Sequence, residues 1–251
     1  MDAVYENASE IVHLKNPPIV EATIGINVAL LPESALDQFD ALSSEMGNMG
    51  YGASKPVTAH KFQVNFNVDA PSVETQGSKL GLRFDGNSYT AQFKRDGFLF
   101  SRLGAYENWE TFTGEAKRVW EPYSQAIGPA EFTEFGVRYI NKIYVPDGHA
   151  LDRYLRVYPL LSETFPQQIS ESFMRLGFSM KDPEGRFVHQ HILIPPERDG
   201  HSTVLLDNDF RFSAIGLTPS AIWERLEKVR KIKDQYFFAL ITNELRDSFN
   251  A

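Results

Sequence analysis

Phe98-Leu99-Phe100-Ser101-Arg102-Leu103-Gly104 and Phe210-Arg211-Phe212-Ser213-Ala214-Ile215-Gly216 carry one pattern, Phe-x-Phe-Ser-x-Leu/Ile-Gly, at an offset of 112 residues. Other pairs flank it. Trp109-Glu110 returns as Trp223-Glu224, and Ile26-Asn27 with Pro32 returns as Ile140-Asn141 with Pro146, both at an offset of 114. Such repetition predicts two copies of one supersecondary unit that bury a core neither could close alone. The expected division is a lead-in over 1–15, a first repeat over 16–128 and a second over 129–251, together one pseudo-symmetric domain.

Local patterns fill in the unit. Ala22, Ile24, Ile26, Val28 and Leu30 alternate as in a half-buried strand. Pro32 then opens a helix with Leu36, Phe39, Leu42 and Met46 on one side, stopped by Gly47. The glycine-bearing loop over 47–61 reads as a lid or as a surface excursion. Strands are expected at Phe62–Val68, Leu80–Asp85, Ser88–Phe93 and Phe98–Leu103, the last three forming a meander through Asp85-Gly86-Asn87 and Asp96-Gly97. A helix runs from its N-cap Asn108 to Gly128-Pro129. The second half repeats the order, with a strand over 132–145, a helix near 150–158, strands near 169–180, 186–194 and 203–215, and one long final helix after Thr218-Pro219. The fold class is therefore α+β, with duplicated β-α-β(3-4)-α units. That order resembles the TATA-box-binding-protein-like fold, which implies a curved antiparallel sheet with helices on its outer face. One conflict stands. At an offset of 114, Arg138 and Lys142 fall opposite Ile24 and Val28, so the matched strands disagree about their apolar face, which requires a bulge or an alignment wrong by one residue.

Composition bounds the function. At 251 residues, 42% hydrophobic and 13% aromatic, the chain can build a large core. Its net charge of −8 and pI near 5.3 oppose phosphate backbones and anionic membranes, so a nucleic-acid saddle is the least favoured reading. Without cysteine there are no thiolate nucleophiles, disulfides or thiolate zinc sites. Neither a basic leader nor a membrane-length apolar run occurs, and a cytoplasmic, soluble protein is expected.

Asn16-Pro17-Pro18-Ile19-Val20-Glu21, Tyr106-x-x-Trp109-Glu110 and Val137-Arg138-Tyr139-Ile140-Asn141 together resemble a sporadically distributed, uncharacterised bacterial family of similar chain length. Its patchy distribution implies a mobile defence or toxin-neutralising association. Independently, Arg138 offers five fixed donors suited to a carboxylate or phosphate, or else an internal ion pair with Glu131, Glu134 or Glu171. With Tyr139, Asn141 and Asn27 it makes the expected ligand-binding set, although the asparagines equally fit backbone bonding at strand bends.

No metal centre is expected. His189 and His191 project together from a strand and are the weak metal candidates, with His149, His201 or a distant carboxylate needed to complete them; a solvent-facing or partly covered pair is the ordinary alternative. Asp207-Asn208-Asp209 reads as a strand bulge or a magnesium site. No G-x-S-x-G, Walker or G-x-G-x-x-G sequence occurs, so no cofactor is expected and a non-enzymatic binding protein leads, its partner another protein or a small ligand. The alternative is an enzyme or sensor holding a small anionic molecule near Arg138. Arg225, Lys228, Arg230, Lys231 and Lys233 alternate with Glu224 and Glu227 as on a solvated helix face. Beyond them, Tyr236-Phe237-Phe238-Ala239-Leu240-Ile241 is apolar right round the helix and calls for a second burial surface, either internal or a homodimer.

Overall fold

Alternating apolar residues in nine strands force one layered arrangement. The computed structural model describes residues 14–66, 71–146, 151–160, 162, 164, 169–198 and 200–250; the expected lead-in up to residue 13, the end of the strand expected at Phe62–Val68, and His149 lie outside them. In chain order the elements are β1 (Ile19–Val28), α1 (Ala35–Ala41), α2 (Ser43–Asn48), β2 (Lys55–Phe66), β3 (Pro71–Asp85), β4 (Tyr89–Lys94), β5 (Gly97–Leu103), α3 (Trp109–Ile127), β6 (Phe132–Pro146), a 3-10 turn (Leu151–Arg153), β7 (Ser172–Lys181), β8 (Glu184–Arg198), β9 (His201–Ser213), α4 (Pro219–Leu240) and α5 (Asn243–Ser248). The protein is α+β, built on one curved antiparallel sheet ordered β2-β3-β4-β5-β1-β6-β9-β8-β7.

From the central β1–β6 pair outward, the order is β5, β4, β3, β2 on one side and β9, β8, β7 on the other. Ile24 pairs with Phe100 and Phe135 with Phe212, so if Phe100 and Phe212 hold matching places, Ile24 matches Phe135 and Ile26 matches Val137. On that match the strands are 111 residues apart, where the repeated Ile-Asn letters give 114. The apparent conflict of faces disappears, because Ile24, Ile26, Phe135 and Val137 are all buried. It also means that Asn27 and Asn141 do not occupy matching places.

Phe93, Phe98, Ile26, Phe135 and Phe212 follow one another across the strands on a single face. Helices cover that face. Phe39 of α1 meets Phe93, Trp120 of α3 meets Phe98 edge-on, and Tyr236 of α4 meets Phe187 and Phe210 edge-on. Each aromatic pair adds about 0.5–1.5 kcal/mol beyond its area burial. α3 and α4 lie side by side, joined by Trp109 Nε1 donating to Glu227 at 2.7 Å and by a Trp120–Trp223 ring contact. Their N-caps, Asn108 and Thr218, each accept a bond from a backbone amide three residues on. Trp109 is the first residue of its helix whereas Trp223 is the fifth, so the two tryptophans are not equivalent, and only Trp109 is fully buried.

Several other sequence readings need correction. The single helix after Pro32 is two short ones, and the 47–61 loop shrinks to residues 49–54 between α2 and β2, with Tyr51 buried and donating to Glu115 at 2.8 Å. The helix near 150–158 contracts to a 3-10 turn among the described residues, and the final helix breaks at Ile241, where a bridge to Leu155 takes over. Asp207-Asn208-Asp209 forms no bulge; its pairing to β6 and β8 is continuous.

Candidate functional site

Strand length creates the site. β6, β8 and β9 have 15, 15 and 13 residues, against 10, 6 and 7 in β1, β4 and β5. Matched row by row, residues 142–146, 192–198 and 201–205 extend beyond the end of β1. The row that runs on from Tyr89, Arg102 and Ala22 sets Tyr139, Asn208 and His189 side by side, the next on the same face Asn141, Leu206 and His191, and the next Ile143, Val204 and Leu193. The last of these belongs to a second hydrophobic cluster with Leu155, Leu240, Ile241 and Leu245. Polar groups thus occupy a seam between two apolar clusters.

Above this seam opens a pocket of about 750 Å³, part of it exposed to solvent. Its floor is Tyr139, Asn141, Asn208 and Phe210; α4 contributes Arg230, Lys233, Asp234, Phe237 and Phe238; the remaining walls are Tyr106 to Trp109 and the segment Leu14 with Pro17 to Ile19. The three sequence motifs therefore converge here, through Pro17 and Pro18, Tyr106 and Trp109, and Tyr139 and Asn141.

The polar groups are held to different degrees. Asn208 Oδ1 lies 2.8 Å from His189 Nδ1, and Asn141 Nδ2 donates to Leu206 O over a long 3.4 Å. The Tyr106 and Tyr139 rings meet edge-on at 5.8 Å, but neither hydroxyl completes a well-formed hydrogen bond. Leaving such a group buried and unpaired costs about 1–3 kcal/mol. Burial raises both phenol pKa values, so both are protonated donors near neutrality. Lys233 Nζ sits 4.5 Å from the Tyr139 ring centre and 2.5 Å from Asp234; burial lowers its pKa, while Asp234 opposes that shift. Arg230 donates to Glu110 at 2.5 Å, and Glu107 lies 3.7 Å from Arg102.

His189 and His191 are fully buried, contrary to the exposed or partly covered pair that is the ordinary alternative. Burial lowers both pKa values, His191 to about 4, and both rings are neutral at physiological pH. Among the described residues no cluster of three or more His, Asp or Glu could hold a metal.

The expected ligand set divides. Tyr139 and Asn141 line the pocket, but Arg138 and Asn27 lie on the opposite face, because successive strand residues point to opposite sides. Arg138 binds Asp207 in a fork, Nε to Oδ1 at 2.7 Å and Nη2 to Oδ2 at 2.6 Å, and Gln190 also donates to Asp207 at 2.7 Å. Asp207 is thus the ion-pair partner, in place of Glu131, Glu134 or Glu171. Its hydrogen bonds to Arg138 raise the guanidinium pKa further. Asp209 similarly takes Arg211 at 2.7 Å. Asn27 sits beside the register shift that ends the β1–β6 pairing. Asn208, Arg230 and Lys233 escape a sequence reading of the pocket, although the position of Asn208 between two aspartates is itself a parity signal.

No family model matches the chain, and no curated protein matches it. Among solved structures, the chain is similar to the di-domain ARO/CYC StfQ from the steffimycin biosynthetic pathway at 10% identity, covering 86% of this chain and 97% of that one. The TM-score of 0.20 carries no argument about fold or activity. Among the described residues no helix is long and apolar enough to cross a membrane.

Proposed function

We propose that this chain is a non-enzymatic binding protein that holds a small polar ligand in the seam pocket between α4 and the sheet. The observation that carries the reading is the convergence of three sequence-distant motifs on one cavity whose two buried tyrosine hydroxyls have only each other and complete no well-formed hydrogen bond. A ligand supplying those partners would offset desolvation already present in the fold. Native mass spectrometry of the purified chain tests this: a retained small molecule, lost in Asn141→Ala with the fold intact, is expected. A chain that retains nothing and whose melting temperature no small molecule in a broad panel raises would overturn the reading.

Two wider readings accompany it. The matching strand orders around β1 and β6 support two copies of one unit in the TATA-box-binding-protein-like arrangement. The motif resemblance supports placing this binding role in a mobile bacterial defence or toxin system, as an accessory or neutralising component. A neighbouring toxin or nuclease gene is the expected genomic observation, and consistent isolation from such genes would count against it.

A further inference from the structure

Building on the ligand-binding reading above, we infer that the seam pocket takes an uncharged planar heterocycle of the nucleobase class rather than an anion. The charge of the wall argues first. Its four ionic residues each have an internal partner: Arg230 with Glu110, Lys233 with Asp234, and Glu107 with Arg102. A carboxylate or phosphate would have to break such a pair and leave its acid uncompensated in a partly desolvated site. The other polar groups of the lining are neutral and carry both donor and acceptor capacity: the Tyr106 and Tyr139 hydroxyls, which complete no well-formed bond, and the carboxamides of Asn141 and Asn208, each held through one atom, Asn141 Nδ2 on Leu206 O and Asn208 Oδ1 beside His189.

Their arrangement suits a flat edge. Asn208 stands directly across from Tyr139, and Asn141 lies two residues along the same strand face, so the floor presents a row of neutral hydrogen-bonding groups. His189 Nδ1 lies 2.8 Å from Asn208 Oδ1 and fixes that carboxamide where the residue lines the cavity. Amide side chains read the donor–acceptor edge of a base through paired hydrogen bonds. Trp109, Phe210, Phe237 and Phe238 supply apolar ring surface for the ligand's faces.

Calorimetric titration of the dialysed full chain with adenine, guanine, cytosine and uracil, and separately with benzoate and inorganic phosphate, provides the test. At least one free base is expected to bind with an affinity insensitive to ionic strength. Asn208→Ala and Tyr139→Phe should each weaken it by about tenfold, the loss of one buried hydrogen bond. Circular dichroism checks the fold, and Tyr139→Phe, which removes only a hydroxyl, serves if the asparagine variant fails to fold. Binding of benzoate or phosphate in place of the bases would overturn the inference in favour of an anion site. Failure of all bases, with a different molecule retained in native mass spectrometry, would overturn the ligand class and leave the pocket reading standing. Failure of the bases with nothing retained and no response to the broad panel would remove both.

Discussion

His191 is buried with neither ring nitrogen in a well-formed hydrogen bond, and burial favours its neutral form. Its folded pKa of about 4 lies below the ordinary 6.5, so the unfolded chain takes up a proton first as pH falls. The associated stability is complete above about 6.5 and is lost on descent toward about 4. Melting temperatures across that window should fall for the native chain and fall less for His191→Leu; parallel curves would mean that other groups cause the acid sensitivity. Arg138 poses the opposite case. Arg138→Ala strands the buried Asp207, and a loss of about 1–3 kcal/mol is expected in urea unfolding, moderated by the solvent Arg138 already sees. The double change Arg138→Met with Asp207→Leu should recover most of it, since removing both charges removes the penalty. Parity alone separates Arg138 from Tyr139 and Asn141, so half of the expected ligand set could have been placed from the strand period without coordinates. The ion-pair partner could not, because Asp207 is brought alongside by β9 pairing.

Elements were legible wherever a period ran uninterrupted. The meander from the last residues of β3 through β5, the α3 boundaries and the strand expected over 132–145 follow directly from alternation, turn residues and caps, whereas the part of β3 before Leu80 escapes that reading. The failures came where identical letters sat in different geometry: the Ile-Asn and Trp-Glu pairs repeat in sequence at 114, whereas matching Phe100 to Phe212 sets the strands 111 apart and the caps of α3 and α4 lie 110 apart. The segment expected as a helix near 150–158 has helical spacing, yet among its described residues Leu155 bridges to Ile241 instead. Two glycines test how far element geometry constrains the chain. A Cβ on Gly136 would lie 2.0 Å from the Phe210 carbonyl oxygen, so Gly136→Ala should push β6 from β9 and cost about 3 kcal/mol or more. Gly114, exposed within α3, has nothing within 4 Å of its added Cβ, and Gly114→Ala should stabilise by about 0.5–1 kcal/mol. Denaturant midpoints measure both; equal effects would show that pairing at Gly136 is looser than the structure has it.

At the scale of the whole molecule, the apolar end of α4 finds its second surface within the chain. Tyr236 packs on Phe187 and Phe210, Phe237 and Phe238 join the second cluster and the pocket wall, and Leu240 and Ile241 lie against Leu155 and Leu245. Light scattering is therefore expected to give a mass near 28.5 kDa. Phe237→Asp should lower the melting temperature and ligand retention without changing that mass; a doubled mass that this change halves would instead place a homodimer interface on α4. The bond between Trp109 and Glu227 has an optical consequence. Trp109 is the one tryptophan in the pocket wall, while Trp120 and Trp223 contact each other away from it. Anything entering the seam changes the polarity around a single indole whose N–H is already anchored, so the emission of the unlabelled protein becomes a gauge of occupancy, and its loss in Trp109→Phe assigns the signal to that ring.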